Sequence, residues 1–162
     1  MKKIILSIIL ALFLTGTASA LEIQIEPKAV FFSESVGFDI HGNVRYDLGN
    51  FWSQVKGLEA GVGVEYSYVN IEDEGVNSLN IGGLTSYYFS SGRIHSRASL
   101  FTGARLCFID GTSANFMLMP SVEAGYEVIN NLTIGASLGF KAVFCEEQER
   151  SLPLGAFISY RL

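Results

Sequence analysis

Counting back from Leu162 by twos gives Tyr160, Ile158, Ala156, Leu154 and Leu152; the residues between them are Arg161, Ser159, Phe157, Gly155, Pro153 and Ser151. Successive side chains of a strand point to opposite faces, so this stretch is a period-two element with an uncharged apolar side and a more polar side. The same alternation recurs upstream, giving eight segments at about 22–32, 36–48, 58–70, 78–89, 94–109, 115–128, 132–145 and 151–162. The seventh is the purest, with Leu132, Ile134, Ala136, Leu138, Phe140, Ala142 and Phe144 against Thr133, Gly135, Ser137, Gly139, Lys141, Val143 and Cys145. The fourth is the least regular, because Leu84 and Tyr88 fall on its polar side. Short connections fall at 33–35, 49–50, 72–75, 90–92, 110–112, 130–131 and 146–150, and all but the last, which is charged, carry Gly, Asn, Asp or Ser, the residues of tight turns. Sequential strands joined by tight turns make an antiparallel meander, and eight strands with no spare edge predict closure into an up-and-down barrel.

Charge decides which face is outside. Beyond residue 20, every Asp, Glu, Lys and Arg lies on the polar faces or in the connections, and the apolar faces carry none. A cation facing lipid at the bilayer midplane costs roughly 2–4 kcal/mol, so an outer face without charges is what hydrocarbon requires. Each segment reaches the roughly 9 residues that a tilted membrane strand needs. Aromatics crowd at segment ends: Phe31, Phe38, Tyr66, Tyr68, Phe108, Phe116 and Phe144 toward one rim, and Tyr46, Tyr87, Phe89, Tyr126 and Tyr160 toward the other. Two such girdles suit the two interfaces of a bilayer. Pro27 and Pro120 each remove a ladder hydrogen bond from a sheet without edges, and local bulges are expected there. A soluble lipocalin-like carrier has the same strand number but needs a charged exterior, whereas the polar face here is rich in small residues such as Gly61, Gly63, Gly135, Gly139, Ser99 and Ser137.

Composition agrees: 49% of residues are hydrophobic, yet no run beyond the N-terminus is long enough for a membrane helix, so the apolar residues are dispersed by alternation. Residues 1–20 read as a secretory signal, with Lys2 and Lys3, the apolar stretch 4–14 and the small residues Ala18-Ser19-Ala20 before a cut at Leu21. Its eleven apolar residues fall short of the roughly 20 that span a bilayer. Residues 21–162 then form the single barrel domain. Loss of the two lysines takes the formal charge from −5 to −7; with no basic cluster, nucleic-acid binding is not expected. An oxidising compartment would permit a bridge between Cys107 and Cys145, although the strand order sets them on non-neighbouring strands.

This pattern resembles the small eight-stranded outer-membrane β-barrel proteins, the OmpA-like and OmpX-like porin family, over the whole of 21–162. The resemblance implies the bacterial outer membrane, lipid and lipopolysaccharide as neighbours, the barrel-assembly machinery as partner during biogenesis, and a monomer. Such proteins commonly end on an aromatic residue, where this chain ends Tyr160-Arg161-Leu162. With the last segment running to Leu162, a peptidoglycan-binding domain of the OmpA kind is not expected.

Candidate chemistry lies inside. An eight-stranded barrel is just wide enough to be filled by its own side chains. Arg97, Arg105, Lys141 and Arg161 are placed to pair with Glu59, Glu65, Glu123 and Glu127, and buried charges are tolerable only when paired. Large internal residues such as Phe101, Met117, Met119 and Phe157 argue for a plugged lumen over a narrow pore. His41 and His95 also point inward by parity and are expected as hydrogen-bonded lumen histidines, with no metal and no cofactor. A lipid A-modifying enzyme would need His, Ser and a carboxylate grouped near the outer rim; His95-Ser96 splits across both faces with no carboxylate expected nearby. The outer connections 33–35, 72–77, 110–113 and 146–150 are short and mostly acidic, which leaves cation or ligand binding at the surface as an alternative. The function expected is non-enzymatic and structural, supporting envelope integrity.

Overall fold

The computed structural model describes residues 21–33, 35–50, 52–71, 74–108, 112–145 and 149–162. The signal segment 1–20 lies outside them, as do the acidic residues at 34, 72–73, 110 and 146–147. Nine strands are formed: β1 (Leu21–Phe31), β2 (Val36–Asp47), β3 (Leu58–Ile71), β4 (Glu74–Ser91), β5 (Ile94–Phe108), β6 (Thr112–Ile129), β7 (Leu132–Gly139), β8 (Lys141–Phe144) and β9 (Glu149–Arg161). β7 and β8 are one stave interrupted at Phe140, so the barrel has eight staves. Every neighbouring pair is antiparallel, and β1 pairs with β9 to close the sheet.

Register fixes the shape. Stepping across the sheet from Leu21 through Tyr46, Ala60, Thr85, Leu100, Pro120, Phe140 and Leu152 leads back to β1 at Phe31, a stagger of ten residues. Stagger and tilt are linked, and a barrel of this kind holds its strands roughly 35–45° from its axis. Both residue 21 and residue 162 lie at one end, called here the terminal end; Phe31, Val36, Ile71, Glu74, Phe108, Thr112, Phe144 and Glu149 end their strands at the other, the loop end.

Parity sorts the side chains as expected. Ile23, Ile25, Val62, Val64, Ile81, Leu100, Val122, Ile134, Leu138, Leu154 and Ile158 are exposed on the outer face, while Glu26, Lys28, Arg45, Glu65, Arg97 and Lys141 are buried within. The aromatics form two outward bands: Phe31, Phe38, Tyr66, Tyr68, Phe108, Phe116 and Phe144 toward the loop end, and Tyr87, Phe89, Tyr126 and Tyr160 toward the terminal end, with Tyr46 half-buried.

Three details differ from the sequence reading. β4 keeps strict parity: Leu84 is buried in the lumen and Tyr88 turns into its mouth, so neither is misplaced. The prolines produce no bulge. Phe140 N–H donates to the Pro120 carbonyl at 2.9 Å, but the return bond has no donor, and this missing rung splits β7 from β8. At Pro27 the β1–β9 ladder lapses between Ile25↔Ile158 and Lys28↔Gly155 with its register unchanged. The one register shift in the β6–β7 pairing lies between Glu127 and Ile129. Finally, the β2–β3 connection is longer than a tight turn, holding two 3-10 turns (Leu48–Asn50 and Ser53–Val55) and an exposed Trp52.

Candidate functional site

The inward faces of the strands place two ionic clusters one above the other. Toward the terminal end lie three guanidiniums and three carboxylates. Arg97 is the hub: Nε is 2.7 Å from Glu59 Oε2, Nη1 3.0 Å from Glu123 Oε2, and Nη2 2.8 Å from Glu22 Oε1. Arg45 grips Glu123 with both terminal nitrogens, at 2.6 and 3.1 Å, and donates to Gln24 Oε1 at 2.7 Å. Arg161 Nη2 meets Glu22 at 2.8 Å and Glu59 at 3.1 Å. Forked guanidinium–carboxylate contacts of this kind are the strongest ion pairs a protein makes. All six groups except Arg161 are buried.

The second cluster sits nearer the loop end. Lys141 Nζ is 2.6 Å from Glu65 Oε1 and also meets Asp39. Lys28 Nζ lies 3.3 Å from both Glu65 and Glu26, and 3.1 Å from His41 Nδ1. Asn80 and Ser137 donate to Glu65 and Glu26 respectively. β1, β2 and β3 supply most of these charges. The opposite wall, from β4, β5, β6 and β8, is apolar: Leu84, Phe101, Met117, Met119 and Val143 pack together, with Phe101 and Met117 wholly enclosed. Lys141 reaches across from that wall.

The eight residues expected from sequence are therefore distributed as follows. Glu59, Glu123, Arg97 and Arg161 come together in the first cluster, and Glu65 and Lys141 in the second. Arg105 takes a different acid, meeting Glu149 and Ser78 near the loop end. Glu127 sits at the terminal mouth, 3.4 Å from His95 and away from the arginines of the cluster. This places a carboxylate beside His95 where none was expected; Ser96 remains on the outer face. Glu22, Gln24, Lys28, Asp39 and Arg45 were not singled out from sequence, although strand pairing sets Glu22 opposite both Arg45 and Arg161.

At the terminal mouth a cavity of about 210 Å³ is lined by Glu22, Tyr88, His95, Arg97, Glu127 and Arg161, among others. The guanidiniums of Arg161 and Arg97 lie 4.5 and 5.3 Å from the Tyr88 ring centre, and Tyr88 shares a hydrogen bond with His95 Nδ1. Among the described residues no group of three or more His, Cys, Asp or Glu is arranged to hold a metal ion. No disulfide joins Cys107, on β5, to Cys145, just past the end of β8, and β6 lies between those two staves.

No family model and no curated protein matches this chain. Solved structures do. Neisserial surface protein A is 14% identical, with 90% of this chain and 98% of that one superposed at a TM-score of 0.64. The outer membrane enzyme PagL is 15% identical over 87% and 99%, with a TM-score of 0.59. A major outer membrane protein from Thermus thermophilus is 14% identical over 88% and 100%, with a TM-score of 0.54. In fold, then, the chain is a closed eight-stranded antiparallel barrel of the kind found among small outer-membrane proteins.

Proposed function

We propose that this protein is a non-enzymatic barrel of the bacterial outer membrane, inserted as a monomer with its terminal end toward the periplasm, and that its role is structural support of the envelope. The observation that carries this reading is the inversion of the usual protein plan: apolar side chains and two aromatic bands outside, paired charges within. Lipid and lipopolysaccharide are its neighbours, and the barrel-assembly machinery is its partner during insertion. Phe101, Met117 and Met119 bar the lumen between the two mouths, which supports a plug over a pore. Planar-bilayer recording tests this directly. The purified protein should give no steady unitary conductance, and a reproducible conductance step would replace the plug by a narrow pore. Because PagL is an enzyme on the same fold, lipid A from cells with and without the gene should be compared by mass spectrometry. Identical spectra, together with raised detergent sensitivity in the deletion strain, are the expected result; a lost or gained acyl chain would make the protein an enzyme.

A further inference from the structure

We infer that the terminal mouth holds a site for one borderline transition-metal dication, of the Zn²⁺, Ni²⁺ or Cu²⁺ class, bound by His95 Nε2 and Glu127 and completed by water. The His95 ring is fixed through Nδ1, which shares a hydrogen bond with the Tyr88 hydroxyl. Its other nitrogen, Nε2, is enclosed and faces the Glu127 carboxylate without a well-aligned hydrogen bond. That atom lies 3.4 Å from Glu127 Oε2. Two donors each roughly 2.0–2.2 Å from a shared zinc ion at a near-tetrahedral angle stand about 3.4 Å apart, so the pair already has the bite of a chelate. Glu127 is held as well, since its Oε1 accepts the Asn131 N–H at 2.8 Å. An imidazole whose second nitrogen is engaged, beside an anchored carboxylate, is the arrangement by which proteins orient metal ligands.

Arg97 and Arg161 line the same cavity, but their charges are taken up by Glu22, Glu59 and Glu123. Glu22, Glu59 and Glu123 are each engaged by arginines, whereas Glu127 makes no ion pair with a guanidinium among the described residues. The cavity of about 210 Å³ opens onto the pair and has room for water ligands. His41, the other histidine of the chain, is buried with Lys28 Nζ 3.1 Å from its ring, where a dication would be repelled. With only two protein ligands, both on the wall of the mouth cavity, the site suits reversible capture of metal more than a permanent structural ion.

The test uses untagged, folded protein in detergent micelles, titrated with Zn²⁺ by calorimetry at neutral pH. One equivalent should bind. His95→Ala and Glu127→Gln should each weaken binding at least tenfold, and Tyr88→Phe by roughly 10–100-fold, as expected for a residue that orients a ligand without touching the metal; His41→Ala should leave it unchanged. Each variant is first checked for the gel mobility of a closed barrel, and His95→Gln replaces any that fails. As a readout independent of variants, Ni²⁺ added to the wild-type protein should broaden the imidazole nitrogen signals of His95 and spare those of His41. Substoichiometric binding, undiminished affinity in His95→Ala, or equal broadening of both histidines would overturn the site.

Discussion

Arg97 is the residue on which the interior turns, because one side chain meets three carboxylates from three different strands. Replacing it by methionine keeps most of the volume and leaves Glu22, Glu59 and Glu123 to share the guanidiniums of Arg45 and Arg161. Removing one partner from a buried ionic cluster costs about 3–5 kcal/mol, so Arg97→Met should shift the urea unfolding midpoint in lipid vesicles far below that of wild type. Arg97→Lys, which keeps the charge and loses the fork, should fall between them, and a wild-type midpoint for Arg97→Met would show that the cluster does not stabilise the fold. At this scale the sequence was legible in one respect and silent in another. Alternation alone assigns Glu59, Glu65, Arg97 and Lys141 to the interior. Partner choice depends on the stagger of the sheet, which brings Glu22 and Arg97 together from positions 75 residues apart and sends Arg105 to Glu149 rather than to Glu65. Alternation contains no stagger. The carboxylate beside His95 was missed because the β5–β6 register, which sets Gly125 opposite His95 and Glu127 one inward position further along, is likewise absent from the alternation.

Among the elements, β7 shows how tightly the two faces are specified. Leu138 is exposed toward lipid, and Leu138→Arg should cost roughly 2–4 kcal/mol if it lies at the midplane, with impaired membrane assembly. Ser137, next to it, is buried, donates to Glu26 and lies 2.9 Å from where a Cβ on Gly155 would stand. The lumen there has no slack for a guanidinium, so Ser137→Arg should damage assembly as much as Leu138→Arg. Folded yield after refolding into micelles measures both, and a well-folded Ser137→Arg protein would reveal unfilled space inside. Strand position and facing were readable because a period of two survives even in β4. Two things were not readable: that prolines would cost single rungs rather than force bulges, and that β4 and β6 would extend past the expected segments to Glu74 and Thr112. Rungs and hairpin length depend on which neighbour an amide faces, and that is a property of the pair of strands.

For the whole molecule, closure is the dominant fact: β1 meets β9 and no edge is left free. A sheet closed in this way should resist SDS until heated, so the unboiled protein should run at a different apparent mass from the boiled one, and a single band under both conditions would contradict the barrel. The seam has a further consequence. The inner row of β1 is Glu22, Gln24, Glu26, Lys28 and Val30, all buried, and its three charged members find ionic partners on the strand itself, across the lumen and, for Glu22, also on β9. Until β9 arrives, that row would lie open to acyl chains, where unpaired charges are expensive. A half-wrapped intermediate therefore has no comfortable place in the bilayer, and wrapping must run together with insertion as one event, with β1 shielded until the last stave is zipped onto it.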